Sequence, residues 1–96
     1  MAAGSKPAPG PLSEAIAEIL RGQQARKKTT AQAISKAVGM SPAQLSGVLN
    51  GQKHVDVEQL DRICFALSLD MEAVLREADE MSAGRFSEPG WSTPRL

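Results

Sequence analysis

Residues 30–51 read TAQAISKAVGMSPAQLSGVLNG, and the punctuation of this stretch decides the fold. Thr29 and Thr30 are both of N-cap type, because a hydroxyl there accepts from one of the N–H groups that a helix start leaves unpaired. Ile34, Ala37 and Val38 follow at helical spacing and Gly39 supplies a left-handed stop, so the pattern predicts a short helix over 30–38. Beyond Met40, a second start is written in Ser41-Pro42-Ala43-Gln44. Ser41 caps, Pro42 takes the first helical position and Gln44 completes a capping box. Leu45, Val48 and Leu49 face inward, and Asn50-Gly51 ends the element. Only Val38-Gly39-Met40-Ser41 joins the two helices. That is too tight for an antiparallel hairpin, so the helices meet at a steep angle, with Ser35 small enough for them to pack closely.

Working outward, the same signals recur. Leu12, Ala15, Ile16, Ile19 and Leu20 form an apolar stripe opposite Ser13, Glu14, Glu18 and Arg21, which predicts a first helix from about residue 12 to 24–26. Asp56-Val57-Glu58-Gln59 is a second capping box and opens a fourth helix, with Leu60, Ile63, Cys64 and Leu67 inward. Asp70 is expected to cap a fifth helix carrying Met71, Val74, Leu75 and Ala78 on one stripe. No run alternates apolar and polar residues as a strand would. The expected fold is all-α, five short helices over residues 12–81, with a flexible arm at 1–11 and a Gly/Pro/Ser-rich tail at 82–96.

Composition narrows the function classes. Ninety-six residues hold one small domain, too small for a large ligand cavity. A single cysteine, Cys64, forms no internal disulfide, and one histidine without a Cys/His cluster offers no metal site, so neither cofactor nor metal is expected. Nothing approaches a membrane span or a signal core, which points to the cytoplasm. No nucleophile–base pair or phosphate-cradling glycine loop appears, so the chain does not read as an enzyme. Formal charge sums to zero, but unevenly. Residues 1–54 carry seven Lys and Arg against Glu14 and Glu18, a net +5, and residues 55–96 carry four Arg against nine acids, a net −5. Such asymmetry separates a basic working face from an acidic remainder.

The segment Thr30–Gly51 resembles the Cro/C1-type (XRE) helix-turn-helix of bacterial and temperate-phage repressors, and the resemblance continues through the fourth and fifth helices. It implies a lambda-repressor-like domain whose second motif helix lies in the major groove of double-stranded DNA. Carried over, the base-reading positions are Ser41, Pro42, Ala43, Gln44, Ser46 and Gly47. Gln44 suits adenine N6 and N7, and Ala43 a thymine methyl. Gly47 stands where relatives often have a long polar reader and has no side chain to offer, which leaves room for readout by groove shape or by an arm in the minor groove. Phosphate contacts fall to Thr30 and Gln32 at a helix start, to Lys27 and Lys28 before it, and to Asn50, Gln52, Lys53 and His54 after the reading helix. The region of the fifth helix, with Met71, Val74, Leu75 and Ala78, also supplies a dimer contact in resembling repressors.

Blander roles compete at several positions. Gln44 serves equally as a capping partner, Cys64 as an inert core thiol, and Met40, Met71 and Met81 as packing. The leading function is a sequence-specific repressor of the phage-immunity or Cro type, acting by operator occupancy. A second is an antitoxin that autoregulates its operon and uses its tail, with the aromatics Phe86 and Trp91, to neutralise a toxin as protein partner; separately, the tail is, beside the fifth helix, a candidate homodimer contact. A third is an excisionase-like or architectural factor that bends DNA.

Overall fold

The computed structural model describes residues 8–83 as five helices: α1 (Pro11–Lys27), α2 (Ala31–Val38), α3 (Pro42–Leu49), α4 (Val57–Ala66) and α5 (Met71–Ser82). Among the described residues there is no strand. The all-α expectation holds, and the starts of α1 to α4 have local causes. Gly10 precedes α1 with Pro11 in its first turn, Thr30 accepts from the Ala33 N–H, and Ser41 accepts from the Gln44 N–H. At α4 the full reciprocal box forms, with Gln59 N–H on Asp56 Oδ1 and Asp56 N–H on Gln59 Oε1. Gly39 and Gly51 take φ of 73° and 72°, the reversals that end α2 and turn the chain after α3.

Several expectations need correction. α1 runs to Lys27 rather than 24–26, because Lys28 itself adopts the left-handed conformation (φ 54°) and its N–H closes on the Ala25 carbonyl. Asp70 occupies the cap position of α5 but its side chain makes no capping bond. Ser41 and Gln44 form only half a box: the Ser41 hydroxyl is engaged, and the Gln44 carboxamide makes no bond within the described residues. Leu12, expected on the apolar stripe, is instead exposed.

A single core gathers one stripe from every helix. Leu20, Leu45, Ile63 and Leu67 are completely enclosed, joined by Ile34 and Val38 of α2 and by Val74 and Ala78 of α5. The long α1 lies along α5, while α2 packs on both α3 and α4. Each such leucine or isoleucine withdrawn from water stabilises the fold by about 1.5–3 kcal/mol. Burial pushes the Cys64 thiol up from 9.0 to about 11, with Asp61 and Asp70 adding to the effect. Among the described residues no helix is long and apolar enough to cross a membrane, and no group of three His, Cys, Asp or Glu could hold a metal ion.

Candidate nucleic-acid interface

The turn between α2 and α3 is held by one residue. Ser35 is buried; its carbonyl accepts from both Gly39 N–H (3.0 Å) and Met40 N–H (3.2 Å), and its hydroxyl donates to the Met40 carbonyl. Its smallness matters, but so does its polarity: three hydrogen bonds fix the angle at which α3 leaves α2. Below the turn, Leu45 and Val48 root α3 in the core. The face left outward carries Ser41, Pro42, Ala43, Gln44 and Ser46, all exposed. Ser46 accepts at Oγ from Asn50 Nδ2 at 3.3 Å, which keeps its own O–H free to donate outward. Gln44 is the third residue of α3, with both amide donors and its carbonyl unengaged. A carboxamide in that state can pair bidentately with a base edge.

Gly47 lies differently from its five companions. It is buried, and the cover is the aliphatic stem of Lys53. The backbone of the α3–α4 loop is drawn back onto it, for Gln52 N–H and Lys53 N–H both donate to the Gly47 carbonyl, at 2.8 and 3.1 Å. Arg21 of α1 steadies the same end of α3 by donating from Nη1 to the Leu49 carbonyl at 2.6 Å, a bond across the fold with no signal in sequence spacing. Glu14 and Glu18 line a cleft with Arg21, Asn50 and Gly51, so both carboxylates of the basic half gather on the α1 side of this loop.

Electrostatics follow from what the chain omits. No Asp or Glu occurs between Glu18 and Asp56. Within that interval Lys27, Lys28, Lys36 and Lys53 are all exposed, as are Thr30 and Gln32 at the start of α2, where the unpaired N–H groups favour an anion. Asn50 and Gln52 are exposed at the far end of α3. His54 shares a cleft with Gly10–Ser13 at the start of α1 and with Asp79 and Ser82 of α5. The α5 stripe divides: Val74 and Ala78 are consumed by the chain's own core and are unavailable to a second copy, whereas Leu75 is exposed and Met71 half-buried. Phe86 and Trp91 lie outside the described residues.

A family model of Cro/C1-type HTH DNA-binding domains matches residues 16–76, a span that includes all of α2, α3 and α4. A crystal structure of the clp gene regulator ClgR from Corynebacterium glutamicum superposes with a TM-score of 0.71 at 34% identity, covering 80% of this chain and 82% of that one. A second ClgR structure from the same organism gives a TM-score of 0.66 at 36% identity over 79% and 94% of the respective chains. No protein of curated function matches the sequence.

Proposed function

This chain belongs to the Cro/C1-type HTH DNA-binding family and is a DNA-binding transcriptional regulator, and from that premise we propose that it is a sequence-specific repressor acting by operator occupancy. The observation that carries this reading is the free Gln44 carboxamide on an exposed, uncharged α3 face, flanked by cations at Lys27 and Lys28. Cations hold the duplex through its phosphates without regard to sequence, and a free amide on the groove-facing helix supplies the discrimination. A repressor needs no more than this. Occupying the operator excludes polymerase by volume.

The ClgR structures belong to a bacterial gene regulator, and that likeness favours a regulator of bacterial promoters over a phage immunity function. Footprinting on the DNA flanking the gene tests the proposal. The wild-type chain protects a defined segment, and Gln44→Ala costs about 1–3 kcal/mol of discrimination at one base pair while leaving affinity for other sequences nearly unchanged. Uniform protection along the fragment, unaltered by Gln44→Ala, overturns it.

A further inference from the structure

We propose that Lys53, delivered by the loop after α3, is a base-reading residue standing in for the side chain that Gly47 lacks, and that its ammonium selects a guanine close to the base read by Gln44. This inference rests on the sequence-specific reading above. Gly47 follows Gln44 by three residues and Ala43 by four, so it shares their helix face about 4.5 Å further along the axis. A Cβ placed on Gly47 would stand 2.7 Å from both Cγ and Cδ of Lys53 and 3.1 Å from its Cε. The lysine stem therefore runs where a side chain of residue 47 would begin.

The position is built rather than incidental. Both loop N–H groups on the Gly47 carbonyl fix the backbone of residue 53, and Gly51, at φ 72°, provides the reversal that brings it back. Glycine weakens a helix interior relative to alanine, and here its one structural return is room for the Lys53 stem. Among the described residues the Lys53 ammonium meets no carboxylate, so its donors are left for a ligand outside the chain. A lysine in the major groove finds its acceptors at guanine O6 and N7. With bases about 3.4 Å apart along a strand, a guanine one or two steps from the base read by Gln44 lies within its span.

Binding-site selection from a randomised duplex library, with the full chain, tests this. The wild type selects a motif with a guanine beside the position that Gln44→Ala relaxes. Lys53→Met lowers the preference for that guanine by about fivefold or more and leaves the neighbouring preference intact. Gly47→Ala keeps the charge but forces the stem aside; it relaxes the same position while its thermal unfolding stays at or above the wild-type temperature. Lys53→Arg retains the guanine. If Lys53→Met instead weakens all sequences alike, with every preference intact and a salt slope shallower by about one, Lys53 is a phosphate contact and the inference falls while the sequence-specific reading stands. A wild-type chain that selects no motif overturns both.

Discussion

The α2–α3 pair and the α4–α5 pair are alike in how they bury residues and opposite in what they show to solvent. Each sends an aliphatic stripe to the same core, and Leu45 of α3 is as completely enclosed as Ile63 of α4. Outward, α3 presents short side chains, no charge and a single free carboxamide, while α4 and α5 present Glu58, Asp61, Arg62, Glu72, Arg76 and Glu77. On the proposed reading, the surface that approaches a duplex closely is kept low, with exposed lysines at Lys27, Lys28 and Lys53 near it in sequence. A surface with many carboxylates is repelled by phosphates, so the domain is oriented before it makes contact. The comparison suggests how a chain of zero formal charge can bind a polyanion: the excess of each sign of charge is carried by a different half of the chain.

Stability measurements can break that comparison at its shared part, the core. Leu45→Ala and Ile63→Ala should each cost about 2–5 kcal/mol in denaturant unfolding, since both empty a fully enclosed site. A mild loss at Leu45 alone would mean that α3 is rooted less firmly than its braces. The next effect belongs to the bracing side only. With the Cys64 thiol at about 11 in the fold against 9.0 ordinarily, the unfolded chain loses its proton first. The contribution is intact below pH 9 and falls as pH rises from 9 to 11, by about 2–3 kcal/mol in all. Comparing unfolding of the wild type and Cys64→Ala across this window should show the extra alkaline loss in the wild type alone. Smaller still is the contrast within the braces. Asp56→Ala should cost about 1 kcal/mol by removing a reciprocal cap, and Asp70→Ala close to nothing, because Asp70 makes no capping bond.

Much of this was legible in the residue order, and the rest fails for identifiable reasons. Helix starts at Thr30, Ser41 and Asp56 and the stop at Gly39 are local chemistry, so a linear pattern reveals them. The end of α1 was not legible, because Lys28 takes a left-handed conformation that sequence assigns by default to glycine or asparagine. The capping box expected at Ser41 stays half-formed, and no spacing rule could tell that Gln44 keeps its amide free. In the interface, Arg21 on the Leu49 carbonyl and Lys53 over Gly47 depend on how a loop and a distant helix meet the end of α3. Gly47 as a gap in the reading face was visible from sequence; what fills it was not. The α5 stripe could be read as apolar, but only packing against α1 shows that Val74 and Ala78 belong to the interior.

The central claim is that the basic α2–α3 face, and not the acidic α4–α5 face, meets DNA. Titrating a duplex at a series of salt concentrations tests it most directly. Neutralising about six phosphates gives a slope of log affinity against log salt near −5. Lys27→Ala with Lys28→Ala should make it shallower by about two, and Arg62→Ala with Arg76→Ala should leave it unchanged. A slope near zero, or one that responds to Arg62 and Arg76 rather than to Lys27 and Lys28, would contradict the account.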